Sequence, residues 1–185
     1  SKSLEVHLIM EQDLLARLLE TPEDERLEWK ESGSDANEVF QAVCALANDL
    51  GATGRAGYLL IGVDKSGRAV GVQGDKAALD KQQVVLADRL HSNRILPTPS
   101  VDIKIVAYQG KTLLGIRVEP YPVPPVVEVS GVAWVRIGST TRRATEADLA
   151  RLRERRPEHR LPFDSRLLAG RSEEHTSELQ SRQSI

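Results

Sequence analysis

The seven residues Gly57 to Val63, GYLLIGV, constrain this chain most, because an unbroken apolar run of strand length belongs inside a sheet with both faces covered. Everything around it must therefore supply sheet neighbours or covering helices. Asp64-Lys65-Ser66-Gly67 follows as a turn, and Arg68 to Val72 is expected to return as the second strand of a hairpin. Val101, Ile103 and Ile105 alternate with Asp102 and Lys104, Gln109-Gly110 turns the chain, and Thr112 to Val118 pairs back as another hairpin. Val126 to Val129 and Val132 to Ile137 form a last hairpin around Ser130-Gly131.

The covering helices are legible from apolar spacing. Leu14, Leu15, Leu18 and Leu19 place a short amphipathic helix over Met10 to Glu20, stopped at Thr21-Pro22 because proline disfavours helix in the residue before it. Ser32, Ser34 or Asp35 can cap a second helix, with Ala36, Val39, Phe40, Val43, Leu46, Ala47 and Leu50 on one face and Gly51 at its end. A third is predicted over Lys76 to Ser92, burying Leu79, Val85, Leu86 and Leu90. Thr145 with Asp148 three residues on resembles a capping box opening a helix that runs to about Arg155 and ends before Pro157. Between the first two helices, Arg26 to Lys30 alternates as a half-buried strand, with Leu27 and Trp29 on one side and Glu28 and Lys30 on the other. Pro120, Pro122, Pro124 and Pro125 form a stiff loop without ladder donors, expected to rim a groove or edge. Hairpins outnumber parallel crossovers, so the fold class is α+β with a mainly antiparallel sheet.

Length and charge narrow the function classes. A chain of 185 residues suits one domain with room for a fragment of a second. No apolar run approaches the roughly 20 residues of a membrane span, and no secretion signal is visible, so no membrane partner and a cytoplasmic location are expected. Cys44 is the single cysteine and sits in an apolar helical pattern, which excludes an intrachain disulfide and a multi-cysteine metal site and leaves a buried inert thiol. The four histidines lack the spacing of a zinc helix. The net charge of -2 is unevenly spread: Met10 to Glu38 carries ten Asp/Glu against three Lys/Arg, while Arg136 to Arg160 carries eight Arg against four Asp/Glu. That asymmetry keeps a basic face in play.

The two ends read differently from the middle. Arg171 to Ser181, RSEEHTSELQS, matches in one frame the translation of a common sequencing-library adapter, so residues 171–185 are expected to be adapter read-through. The stretch around Leu4-Glu5-Val6 is compatible with a ribosome-binding site upstream of Met10, so residues 1–9 are expected to be untranslated leader. Residues 10–156 are then the domain, and 157–170 start a linker towards further domains.

No phosphate-binding P-loop is present, since the glycines at 62, 67, 71 and 74 surround a hairpin and lack a Gly-Lys-Ser/Thr ending. No nucleophilic triad can be assembled either. The local chemistry that stands out is Glu23 to Ser32, EDERLEWKES, with two carboxylates five apart just ahead of Trp29 and Lys30. Taken alone, Glu28 and Lys30 suit a solvated strand face, and Asp64 suits a turn residue that caps local amides.

Four segments in order carry a resemblance: Glu28-Trp29-Lys30-Glu31-Ser32, the helix ending Cys44 to Asn48, Gly57 to Asp64, and Trp134 to Arg142. Together they resemble the Schlafen/AlbA-like domain family, described as a DNA-binding or divergent AAA domain. The resemblance implies a compact α+β domain that in bacterial proteins often leads a longer chain with transcription-regulator or helicase-like labels. It also implies a mechanism, because animal Schlafen proteins include metal-dependent ribonucleases acting through three carboxylates. By motif those positions are Glu23, Glu28 and Asp64, which would serve as catalytic residues and as ligands for Mg²⁺ or Mn²⁺. Such nucleases use two lobes in one chain, so a single lobe would be expected to work as a homodimer.

Three readings follow. The first is a nucleic-acid-binding regulatory module for DNA or structured RNA, with Arg136, Arg142 and Arg143 beside Ser139, Thr140 and Thr141 as phosphate donors and Lys30, Lys65 and Arg68 extending the surface. The second is a metal-dependent endoribonuclease. The third is a nucleotide-responsive or protein-interaction module, kept because relatives are sometimes labelled ATP-binding.

Overall fold

In chain order the elements are α1 (12–20), β1 (Leu27–Lys30), α2 (Ala36–Asn48), β2 (Gly57–Ile61), α3 (Lys76–Leu90), β3 (Ile95–Leu96), β4 (Val101–Tyr108), β5 (Lys111–Val118), β6 (Glu128–Val129), β7 (Val132–Ile137), β8 (Thr140–Arg143) and α4 (Glu146–Arg153). The structure is a computed structural model that describes residues 12–122 and 124–155. The expected leader (1–9), linker (157–170) and adapter tail (171–185) lie outside the described residues.

The apolar run forms an inner strand as expected. β2 pairs in parallel with β1 and antiparallel with β5, which in turn pairs with β4, giving a first sheet ordered β1-β2-β5-β4. A second antiparallel sheet is ordered β3-β6-β7-β8. The class is α+β, and hairpin logic did not anticipate the parallel β1–β2 pair, the division into two sheets, or the short strands β3 and β8.

Helix α2 lies between the two sheets, touching β2 and β5 of the first and β6, β7 and β8 of the second. Its sequence permits this because Ala42, Cys44, Ala45 and Ala47 are small and fill the sides left by Val39, Phe40, Val43 and Leu46, so nearly the whole circumference is buried. Each large side chain fully buried in this way contributes about 1.5–3 kcal/mol. Asp35 is the N-cap, accepting from the amides of Asn37 and Glu38. The helix stops earlier than Gly51: Asp49 adopts a left-handed backbone at φ 44°, with its amide still bonded to the Ala45 carbonyl. Asn48 then fastens the helix to the second sheet, donating to the carbonyls of Val127 (2.9 Å) and Trp134 (2.8 Å) and accepting from the Val127 amide (2.9 Å).

The other face of the first sheet is covered by α1, whose Leu15, Leu18 and Leu19 pack with Leu27, Leu60, Val63 and Leu113. Leu152 of α4 packs with Leu50 and Val135. On α3, Leu79 and Leu90 are buried and Leu86 half-buried as expected, whereas Val85 is exposed, and the helix closes at Leu90 rather than Ser92.

One expected strand does not form. After the Asp64 to Gly67 turn only an isolated bridge joins Val63 and Ala69. The Gly62 carbonyl accepts both the Val70 and Gly71 amides at 2.8 Å, and the Gly71 backbone sits where a side chain on Gly62 would lie, so the returning chain crosses the strand end instead of running beside it. Among the described residues no helix is long and apolar enough to cross a membrane.

Candidate functional site

Glu23, Glu28 and Arg136 meet where β1 approaches β7. Arg136 is 2 % exposed and every nitrogen of its guanidinium is engaged. Nε donates to the Asp24 carbonyl (2.6 Å), Nη1 to Glu28 Oε2 (2.8 Å) and Thr141 Oγ1 (3.1 Å), and Nη2 to Glu23 Oε1 (3.2 Å) and the Leu27 carbonyl (2.8 Å). Thr141 in turn donates its hydroxyl to Glu28 Oε2 at 2.7 Å. Glu23 Oε1 also accepts the Trp29 amide at 2.8 Å. The other oxygen of Glu28 faces Lys30 Nζ at 3.1 Å, and Lys30 reaches Glu38 at 3.1 Å as well. Burial opposes the Lys30 ammonium, but Glu28 and Glu38 outweigh it and hold its pKa above the ordinary value.

Asp64 sits in a different local network. Its Oδ1 accepts from the Ser66 amide (2.8 Å), the Ser66 hydroxyl (2.6 Å) and the Arg68 amide (3.0 Å), while Oδ2 accepts Arg68 Nε at 2.9 Å. The Ser66 hydroxyl first, and then the Arg68 amide, hold its pKa well below the usual carboxylate range. This is an Asp turn that shapes the end of β2.

Oxygen ligands for Mg²⁺ or Mn²⁺ must be free to turn towards the ion. Here two cationic side chains already occupy Glu28, a third carboxylate is closed into its own turn, and no group of three or more His, Cys, Asp or Glu among the described residues is placed to hold a metal ion. The residues present do not fit a three-carboxylate metal centre. Glu23 and Glu28 are brought together, Asp64 is not joined to them, and the ion they share is the Arg136 guanidinium.

The residues expected to hold phosphate also divide. Arg136 and Thr141 are committed to the buried network, and Arg136 has no surface to offer. Ser139 and Thr140 are exposed at the β7–β8 turn. Arg142 is half-exposed and anchored at 2.7 Å to Asp148, which closes the capping box of α4 with Thr145. Arg143 is exposed and lies 5.9 Å from the Trp134 ring centroid, a cation–π arrangement that stiffens it without hiding its charge. Lys65 is exposed, and Arg68 is 81 % exposed although paired with Asp64. Of the residues expected to hold phosphate, those left at the surface are thus Ser139, Thr140, Arg142 and Arg143, with Lys65 and Arg68 on another turn. Sequence reasoning missed the anchoring roles of Trp134 and Asp148 in this surface; the capping box was the available signal for Asp148, while nothing local marks Trp134.

A helix held between a mixed four-stranded sheet and a small antiparallel sheet, tied together by a buried Arg–Glu network, defines the class of domain. The chain belongs to the family described as Schlafen, AlbA_2, whose model matches residues 23–145. Among solved structures it is similar to the N-terminal domain of a protein from Nitrosomonas europaea named as related to the ATP-dependent DNA helicase RecG, with 26% identity over 73% of this chain and 91% of that one and a TM-score of 0.51. A second similar structure is the DIP2311 protein from Corynebacterium diphtheriae, with 21% identity, a TM-score of 0.48, and 80% of this chain but 28% of that one covered. No curated protein matches the chain.

Proposed function

We propose that this chain is a nucleic-acid-associated domain of a larger protein, and that it holds a phosphate backbone without cleaving it. The family, and the likeness to a domain of a protein named for a DNA helicase, support the association. The observation that carries the binding mode is the β7–β8 turn, where exposed hydroxyls at Ser139 and Thr140 stand beside Arg142 and Arg143, both held in place by neighbours. Hydroxyls and guanidinium groups of this kind contact phosphate and fix register without reading sequence.

The name of the Nitrosomonas relative makes duplex DNA the first ligand to try, with structured RNA as the comparison. The finer assignment of a regulatory role in a transcription-regulator or helicase-like chain rests on the same likeness, and a cytoplasmic location goes with a nucleic-acid partner. Backbone binding of this sort needs no second copy of the domain, whereas the nuclease reading did. Incubating the chain with duplex DNA and with transfer RNA, in the presence of Mg²⁺, Mn²⁺ or a chelator, separates the alternatives: binding with intact nucleic acid is expected, and metal-dependent cleavage would overturn the proposal.

A further inference from the structure

A cavity of about 460 Å³ opens between the C-terminal end of α1, the segment leading into β1, and the ends of β2 and β5. Four arginines line it, Arg17, Arg26, Arg55 and Arg117, against the single carboxylate of Asp24. Strand pairing explains how residues so far apart in sequence converge. Tyr58 pairs in register with Leu27 on one side and Arg117 on the other, and its amide donates to the Arg26 carbonyl at 2.7 Å.

Arg26 is the unusual member. It is 5 % exposed, and only Nη1 is used, donating to the Leu46 carbonyl at 2.9 Å and lying 3.4 Å from Asp49. Nε and Nη2 are buried with no partner. A buried guanidinium normally has all of its donors satisfied, so the two orphan nitrogens leave an incompletely satisfied cation in the cavity wall, closed off from the cavity itself with Nη2 beside Gly57. Burial lowers the Arg26 pKa although Asp49, Glu25 and Asp24 pull the other way, which indicates that these carboxylates do not fully compensate its charge. Gly57 makes the room: a Cβ there would lie 2.9 Å from Arg26 Nη2 and 2.7 Å from Leu46 Cδ2. Around it, Arg117 pairs with Glu119, while Arg17 and Arg55 have no carboxylate partner among the described residues.

Tetrahedral oxyanions present several acceptor oxygens at once, and guanidinium groups match them with paired donors. We infer that this cavity is a phosphate-binding site, taking either a phosphate group of a nucleic acid or a free phosphate anion between Arg17, Arg55 and Arg117, with the buried charge of Arg26 behind it. The site's chemistry stands without the nucleic-acid reading; only the source of the phosphate rests on it.

Heteronuclear NMR of the arginine Nε–H groups, with inorganic phosphate as the titrant, tests the site directly. The Arg17, Arg55 and Arg117 signals are expected to move saturably, and the exposed double variant Arg17→Ala/Arg55→Ala should weaken phosphate binding about tenfold or more, read on Arg117, with an unchanged thermal midpoint. The single variant Arg55→Lys should retain part of the response. No movement with inorganic phosphate or with an oligonucleotide, or an unweakened response in the folded double variant, would overturn the inference. Titration with end-phosphorylated and hydroxyl-ended oligonucleotides then separates the sources. An oligonucleotide that moves these signals identifies a nucleic-acid phosphate, at its end if only the phosphorylated form does so. A response to inorganic phosphate alone supports the site with free phosphate as its ligand. An oligonucleotide that binds while these signals respond neither to it nor to phosphate would overturn this site and leave the nucleic-acid reading standing.

Discussion

Arg136 of β7 and Glu28 of β1 form a buried ion pair, Nη1 to Oε2 at 2.8 Å, across the boundary between the two sheets. The arginine side chain is 1 % exposed and the glutamate 9 %. A charge pair this deep is held by its extra hydrogen bonds, because desolvating both ions offsets most of their attraction. Its role is to fix β1 against β7, and the most sequence-conspicuous carboxylate of the chain is occupied by that task.

Removing one partner should therefore unfold the domain more readily, whatever nucleic acid does. Arg136→Ala is expected to lower stability by about 3–5 kcal/mol, because it leaves two carboxylates without their shared cation. Glu28→Gln should cost less, since the amide can still accept from Thr141 or Arg136. Chemical denaturation of the three proteins checks the order, and an Arg136→Ala protein as stable as the parent would contradict the assignment.

Acid should loosen α4 through Asp148. Arg142 first, and then Thr145, hold its pKa from 3.8 down to about 2 in the folded chain. A carboxyl depressed on folding adds stability that is complete above its unfolded value and disappears as pH falls through the folded one. The contribution should fade between pH 3.8 and about 2, and Asp148→Asn should remove that part of the pH dependence. Stability measured against pH for both proteins provides the check. Asp64, also depressed, has the same sign.

Asn48 predicts a larger effect than its neutral amide suggests. Asn48→Ala would strip the Val127 amide of its acceptor and the Val127 and Trp134 carbonyls of a donor, all near the seam between α2 and the second sheet. A loss of about 3 kcal/mol is expected, since each buried unsatisfied group carries its desolvation penalty. Denaturant unfolding would show it, and a loss under about 1 kcal/mol would mean that water replaces the amide.

Cys44 should be chemically silent. Burial pushes its thiol up to about 12, and the side chain has no exposed surface. Alkylation of the native chain is expected to proceed only as fast as unfolding, and rapid modification in native buffer would contradict this placement.

Much of the fold was legible because its signals are local. The β4–β5 hairpin follows from the alternation of Val101, Ile103 and Ile105, and α4 from the capping box of Thr145 and Asp148. The β1–β2 pairing was not, because four residues of alternation cannot distinguish a parallel neighbour from an exposed edge. Arg68 to Val72 misled because its apolar content fits a strand while the glycines at 62 and 71 redirect its amides. The site was least legible of all. Glu28 and Arg136 lie 108 positions apart, and nothing beside either one tells a metal ligand from an ion-pair partner. The same distance effect hid the convergence of Arg17, Arg26, Arg55 and Arg117, which depends on strand register.

The most direct test of the nucleic-acid reading is the salt dependence of binding, measured by fluorescence anisotropy with labelled duplex DNA and with transfer RNA, for the parent chain and for Arg143→Ala. Binding at low salt that weakens steadily as salt rises is expected, and the variant should weaken it similarly for different sequences while lowering the salt slope by about one phosphate contact. Absence of binding to either nucleic acid at low salt, or an affinity indifferent to salt, would contradict it.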